Sequence, residues 1–358
     1  MAKSASKRKP EGRKKTSASR ARKDNVSNSR AGKSKQKTIL ITGGAGYIGG
    51  LFIERLIEEN ERSKGRFRIA AVDVRLPRHV PAGTEFYTGD VSSPDTEKLF
   101  LKIKPDIVVH LAAIVNPPKG MSPETEYRVD VEGTRNVLQA CLKAKVSKII
   151  VTSSGAAYGY HADNSEWLKE SDPVRGNDTF PYSKHKRLVE EMLADYRKKH
   201  PALRQLIFRP GTILGENTDN QITAIFHKTV VPGVAGSDSF FVFIYDRDVV
   251  ECLLRGCLSD RAGIFNLAGD GRMSLREIAR RMGRPFLPIP ASVIRFFLSV
   301  AKPLRLSRYG PEQVDFLQYR PVLSNDALKS GFGYIPKKTT EEVFELWRTS
   351  RKKSRKRY

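Results

Sequence analysis

Residues 37–50 read KTILITGGAGYIGG. The run from Thr38 to Thr42 is apolar enough for a buried parallel strand. Glycines follow at 43, 46 and 49, and Ile48, Leu51, Phe52, Leu56 and Ile57 then recur at the spacing of one helix face. Strand, glycine turn and helix, in that order, give a glycine pattern its meaning. Gly43 lets the chain turn sharply, Gly46 lets a pyrophosphate approach the backbone, and Gly49 lets the helix pack close to the sheet. The helix start adds N–H donors and a partial positive charge suited to phosphates. A ligand-free tight turn has the same spacing, so the next strand matters. Arg68 to Val72 is that strand, and Asp73 ends it, where an acid would hold the ribose hydroxyls of an adenine dinucleotide. An acid there repels a 2′-phosphate and favours NAD. Arg75, two residues on, keeps NADP as the lesser alternative.

The alternation continues outward. A strand near Glu85 to Thr88 ends in Gly89-Asp90-Val91, where Asp90 either reaches the adenine amino group or forms a polar turn. Asp106 to Leu111 is a fourth strand, running into Ala112 and Ala113, small residues against which a planar ligand can lie. His110 is read as a packing or capping residue before a catalytic base. A long helix is predicted over Glu124 to Lys143, a strand over Lys148 to Thr152 ending in Ser153-Ser154-Gly155, a helix from Ser183 to Lys199, and a strand from Leu203 to Phe208 closing in Arg209-Pro210. Alternating strands and helices predict a doubly wound parallel sheet of the Rossmann type, with ligands beyond the carboxyl ends of the strands. Every polar feature singled out falls at those ends.

Beyond Gly215 the alternation loosens. Phe240 to Tyr245 reads as a strand, Asp248 to Leu258 as a helix, and Gly263 to Leu267 as a short strand. Ser274 and Glu277 match a capping box, and Glu341 to Trp347 reads as an amphipathic helix. Val293 to Val300 is strongly apolar. It lines a pocket, meets a membrane surface or is plain core, and core is the default.

The chain has 358 residues and a net charge of +25. Residues 1–37 carry 14 Lys/Arg against 2 Asp/Glu, and residues 348–358 carry 7 Lys/Arg and no acid. Both stretches lack apolar periodicity and are expected to be disordered tails. They suit RNA, DNA or anionic lipid by counterion release, or simple solubilisation. No apolar run is long enough to span a bilayer, and no signal peptide is visible at the N-terminus. Cys141, Cys252 and Cys257 offer neither a disulfide framework nor zinc spacing and fit core thiols in a reducing cytoplasm.

Tyr182 and Lys186 stand four apart on a predicted helix and so share a face. A tyrosine of pKa about 10 is a poor base at neutral pH. A lysine cation beside it, with a nicotinamide cation, favours the phenolate. Ser154, at a strand end, is placed to hold a substrate oxygen. With these motifs in one order on one sheet, the sequence resembles the extended short-chain dehydrogenase/reductase family, in particular its NAD-dependent epimerase/dehydratase branch. The likeness covers about Thr38 to Tyr334.

The resemblance implies cofactor contacts from Gly43, Gly46, Tyr47, Ile48, Gly49, Asp73, Asp90, Val91, Leu111, Ala112, Ala113, Ser153, Tyr182, Lys186 and Pro210. It implies a catalytic set of Ser154, Tyr182 and Lys186. It further implies a cofactor region over 38–215, joined again by 240–267, a smaller, partly interleaved substrate region over 216–347, and a homodimer through the helices near 122–144 and 182–199.

Three departures bear on the reaction. Asp130 stands where the family usually has Asn. Gly155-Ala156 follow the serine where 4,6-dehydratases carry Asp-Glu. Gly236 to Phe241 lacks the arginine that nucleotide-sugar enzymes often carry there. The leading expectation is a nucleotide-sugar epimerase. A dehydrogenase of a steroid-like or other secondary alcohol is the alternative within enzymes, and a dinucleotide sensor tethered by basic tails is the alternative outside them.

Overall fold

β1 (Lys37–Thr42) runs through the glycine turn into α1 (Tyr47–Ser63). In chain order follow β2 (Phe67–Asp73), β3 (Thr84–Thr88), α2 (Thr96–Ile103), β4 (Ile107–His110), α3 (Pro123–Tyr127), α4 (Gly133–Lys143), β5 (Lys148–Thr152), α5 (Pro181–Lys199) and β6 (Arg204–Pro210). The C-terminal part contributes β7 (Thr212–Leu214), α6 (Gln221–Phe226), β8 (Val231–Val234), β9 (Phe243–Tyr245), α7 (Asp246–Leu258) and β10 (Gly263–Leu267). After these come α8 (Leu275–Arg281), β11 (Phe286–Ile289), α9 (Ala291–Ala301), α10 (Gln313–Gln318) and α11 (Thr340–Arg355). This computed structural model describes residues 36–118, 120–304, 306 and 310–355. The basic stretch 1–35 lies outside the described residues.

Seven strands form one sheet in the order β10-β6-β5-β4-β1-β2-β3, and every pairing in it is parallel. The chain moves outward from β1 to β2 and β3, then returns to the other side of β1 with β4. The crevice between β1 and β4 is thus the switch point where an open sheet of this kind takes a ligand. Strand periodicity explains the two cores. Ile39, Ile41, Ile69 and Ala71 face one side, with Phe52 and Leu56 of α1 and Val249 and Leu253 of α7. Leu40, Ala70 and Val72 face the other, with Phe100 of α2, Leu138 of α4 and Leu193 of α5. Cys141, Cys252 and Cys257 are buried free thiols.

Several elements differ from the sequence reading. The helix expected over 124–143 is interrupted by a π-helical turn, Arg128–Glu132, which turns Asp130 inward. The strand expected over Phe240 to Tyr245 is limited to Phe243–Tyr245 and pairs with β7, outside the main sheet. Phe241 instead bridges Met273. Ser274 does accept from the Glu277 N–H, but the Glu277 carboxylate turns to Arg281, so only half of the capping box forms. α11 runs through Arg355, so the first residues of the expected C-terminal tail are helical: Arg348 pairs with Glu345 and Arg351 with Asp219.

The default for Val293 to Val300 is overturned. These residues form most of α9, and Phe296 and Phe297 are exposed at 72% and 66%. Hydropathy counts apolar residues but does not say whether a neighbour covers them.

Candidate active site

The turn between β1 and α1 forms a cradle. Gly43 has φ +76, and a Cβ there would lie 2.7 Å from the Ala112 nitrogen, so the turn fits against the exit of β4 only with glycine. A Cβ at Gly49 would stand 2.2 Å from the Gly43 carbonyl oxygen, which is how α1 packs so near the strand. No side chain caps the start of α1 at Gly46, so its first N–H groups suit an anion. The Asp73 carboxylate accepts from Ala45 N at 3.1 Å and from Arg75 N at 3.3 Å, and so borders the glycine turn. Leu111, Ala112 and Ala113 are half-buried where the chain leaves β4. A bare turn, an uncapped helix start and an acid at the next strand end together fit an adenine dinucleotide.

Other residues expected around the cofactor have protein partners. The Tyr47 hydroxyl donates to Asp246 of α7 at 2.5 Å, while Ile48 packs on the core. Asp90 Oδ1 accepts from both the N–H and the hydroxyl of Ser92, at 2.8 Å each, closing a local turn, and Val91 is buried beside it. The Ser153 hydroxyl donates to Glu190 at 2.7 Å. Pro210 ends β6 in register with Leu267 of β10.

Ser154 starts a 3-10 turn, Gly155–Tyr158, and accepts from Ala156 N at 3.1 Å. The Ser183 hydroxyl donates to the Ala156 carbonyl at 2.7 Å and binds that turn to the first turn of α5. α5 opens at Phe180 with Pro181 at its first position, where a fixed φ suits the helix. Tyr182 and Lys186 share a face of it, with Lys186 Nζ 5.6 Å from the centre of the Tyr182 ring. Burial pushes Tyr182 up to about 12; hydrogen bonding to Ser154 opposes the rise and the Asp130 charge adds to it. Burial pulls Lys186 below its ordinary value, against the charges of Asp130 and Glu190. In the chain by itself burial outweighs the other influences on Tyr182. Ionising Tyr182 near neutral pH therefore needs a further positive charge beside it.

Two buried polar clusters brace this set. Glu190, one turn beyond Lys186, accepts from Arg209 Nε at 2.8 Å and Nη2 at 2.5 Å, and from Ser153 Oγ at 2.7 Å. Arg209 also donates to the Tyr158 hydroxyl at 2.8 Å. The ends of β5 and β6 are thereby fastened to the helix that carries Tyr182. In the second cluster, Asp130 Oδ1 accepts from Ile114 N at 2.7 Å, and Oδ2 lies 3.3 Å from His185 Nδ1. The His185 ring meets Tyr127 edge-on at 5.7 Å. His110 is held by Thr42 at 2.7 Å and Thr134 at 3.0 Å, and burial with the nearby Lys186 charge pulls it down to about 4. His110 is therefore a neutral brace, not a base.

Arg320 was not singled out by sequence. It lies over the rings of Phe241, at 4.1 Å, and Phe316, at 4.6 Å, and its Nη1 is buried without a hydrogen-bond partner. It lines a cleft of about 370 Å³ with Gly236, Ser237, Asp238, Phe240 and Tyr319. Burial lowers it to about 10, still a cation at neutral pH. Phe316 in turn stacks on Phe180, the residue before α5, at 5.3 Å. Arg272 lines an adjoining cleft, 3.9 Å over the Phe240 ring and paired with Glu166. The stretch 236–241 lacks an arginine, yet it borders two supplied from elsewhere. The available signal was a lone cation within the otherwise uncharged run from Phe316 to Leu323.

A profile of the NAD dependent epimerase/dehydratase family matches residues 39–268. An uncharacterized protein of Mycobacterium tuberculosis is 25% identical over 314 residues, spanning 86% of this chain and 82% of its own. UDP-glucose 4-epimerase of Azospirillum brasilense is 30% identical over 181 residues, 49% of each chain. Among solved structures, UDP-glucose 4-epimerase from Thermotoga maritima with UDP-glucose superposes with a TM-score of 0.69 at 21% identity, over 88% of this chain and 99% of that one. The Thermus thermophilus UDP-glucose 4-epimerase in complex with NAD gives 0.67 at 24%, over 87% and 98%. At these identities the structural likeness speaks to the fold.

Proposed function

The chain belongs to the NAD dependent epimerase/dehydratase family, and from that premise we propose that it is a nucleotide-sugar epimerase-type enzyme with Ser154, Tyr182 and Lys186 as its reacting set. The observation that carries the substrate class is Arg320. A buried guanidinium with an unsatisfied N–H, on a cleft lined also by Phe240 and Tyr319, suits a diphosphate.

The glycine cradle and Asp73 would hold NAD, which when bound supplies a reversible hydride acceptor and, oxidised, a positive charge. Tyr182 takes the proton of a substrate hydroxyl and later gives it back to the same oxygen. Ser154 holds that oxygen, and its hydrogen bond to Tyr182 favours the phenolate. Asp130 and Glu190 oppose the downward pull of burial on Lys186, which stands over the Tyr182 ring. The carbon bearing that oxygen would lose its hydride as the proton leaves and regain it on the opposite face as the proton returns, so the substrate would change configuration without net oxidation.

The test is calorimetric titration of UDP and UDP-glucose into the protein. Arg320→Gln should weaken both by about tenfold or more while leaving NAD affinity within about twofold. NAD binding without any UDP binding by the unaltered protein would refute the substrate class. A second reading, a dehydrogenase of a lipophilic secondary alcohol, is favoured by the exposed apolar face of α9, which packs on α10 near the cleft. It would show steady cofactor reduction.

The proposal also includes a homodimer through α3, α4 and α5, a cytoplasmic setting, and nonspecific anion binding by the basic stretch 1–35. Binding of that kind should weaken steeply with salt.

A further inference from the structure

α9 has three faces. Ala291, Ile294, Leu298 and Ala301 are buried or half-buried against the protein. Arg295 and Lys302 lie on the second and pair with Asp315 at 2.8 Å and Glu312 at 3.0 Å, which fastens α9 to the segment of α10. The third consists of Val293, Phe296, Phe297 and Val300, one stripe at helical spacing, entirely exposed and apolar. Leu304 and Leu306 continue it past the helix end, Leu306 at 78% exposure. Single exposed apolar residues are ordinary, but a continuous aromatic and aliphatic stripe of this kind marks a contact surface.

We propose that this stripe docks on the surface of an anionic lipid bilayer. Charge selects the occupant. Residues 282–315 contain five Lys/Arg against two acids, Glu312 and Asp315. Arg295 and Lys302 take up those two carboxylates, and Arg305 and Arg308, which follow the helix in sequence, leave the run from Val293 to Asp315 with a net charge of +2. The stretch 1–37, with 14 Lys/Arg against 2 acids, adds a second cationic element.

Phe and Leu on an outward face, in a stretch of net positive charge, make the pattern of a helix lying in the headgroup region. One apolar contact plus one polybasic stretch makes the usual two-part anchor. No described helix is long and apolar enough to cross a membrane, so the contact is with the surface. The inference does not depend on the proposed reaction. The anchored helix is nevertheless one element from the start of α5, because α10, to which it is paired, carries Phe316 against Phe180.

The experiment uses the full chain with vesicles of phosphatidylcholine alone and of an equimolar mixture with phosphatidylglycerol. The protein should co-sediment with the anionic vesicles. Phe296→Ser together with Phe297→Ser should cut the partition coefficient by about tenfold or more. Both sites are solvent-exposed, so the fold is not at risk, and unchanged NAD affinity checks this. In Phe297→Trp the introduced indole should shift its emission to the blue on anionic vesicles and be quenched by brominated lipid. Partition unchanged by the double substitution would assign all binding to the basic stretches and overturn the proposal. So would an unshifted emission in the co-sedimented Phe297→Trp variant. A concentration-dependent dimer in vesicle-free solution that Phe296→Ser/Phe297→Ser dissolves would give the stripe to a second copy and overturn it as well.

Discussion

Glu190→Ala is the substitution whose cost the structure fixes best. Glu190 and Arg209 have side chains 3% and 4% exposed, and two parallel hydrogen bonds join them. A third bond reaches Glu190 from Ser153. Alanine leaves a buried guanidinium facing a void and a serine hydroxyl without its acceptor. Breaking one side of a buried pair costs about 3–5 kcal/mol, because the remaining charge is desolvated and uncompensated. The lost Ser153 bond adds on the order of 1 kcal/mol. Arg209 keeps its bonds to the Tyr158 hydroxyl and the Glu170 carbonyl, which limits the loss to the upper part of that range. Equilibrium urea unfolding at pH 7, followed by circular dichroism, measures it. The double substitution Glu190→Leu/Arg209→Met removes both charges and should recover most of the loss. A loss below about 1 kcal/mol for Glu190→Ala, or a double variant less stable than the single one, would refute the view that this pair fastens β5 and β6 to α5.

Two further outcomes concern titration. Asp130 raises both Tyr182 and Lys186, so Asp130→Asn should move both limbs of the kcat/KM profile to lower pH; a profile that stays in place or moves upward contradicts that role. His110 titrates near 4 when folded and near 6.5 when unfolded, so between these values the unfolded chain binds more protons. Stability should therefore fall as pH drops from about 6.5 to about 4, by on the order of 3 kcal/mol from this group, with no contribution above that window. In His110→Gln the slope of urea-derived stability over the window should flatten, and an unchanged slope would assign it to other groups.

Much of the sheet was legible because its strands are buried on both faces. Ile39 and Ile41 alternate with Leu40 between two cores, and the next strand repeats the pattern with Ile69, Ala70 and Ala71. The glycine turn was legible because a Cβ at Gly43 or Gly49 would strike backbone. Past β6 the elements shorten. β7 and β9 have three residues each, and their pairing is set by tertiary contacts, not by periodicity. α6, capped by Asn220 and Thr223, is only six residues long, too short for a periodicity to announce it.

Side-chain partnerships were the least visible. Asp130 stood out as a departure, yet its contact with His185 depends on a π-helical turn that no local pattern announces. Arg320 became a candidate only when Phe241 and Phe316, far apart in sequence, were found on either side of it.

The most direct test of the central claim is product analysis by chromatography and mass. The purified protein is incubated with NAD and UDP-glucose or UDP-galactose while reduced nicotinamide is followed by absorbance, alongside Tyr182→Phe. The account predicts an isomerised nucleotide-sugar with no net reduced cofactor, and a rate lower by about 10²-fold or more in Tyr182→Phe with NAD still bound. Steady accumulation of reduced cofactor with an oxidised product, or isomerisation undiminished in Tyr182→Phe, would contradict it.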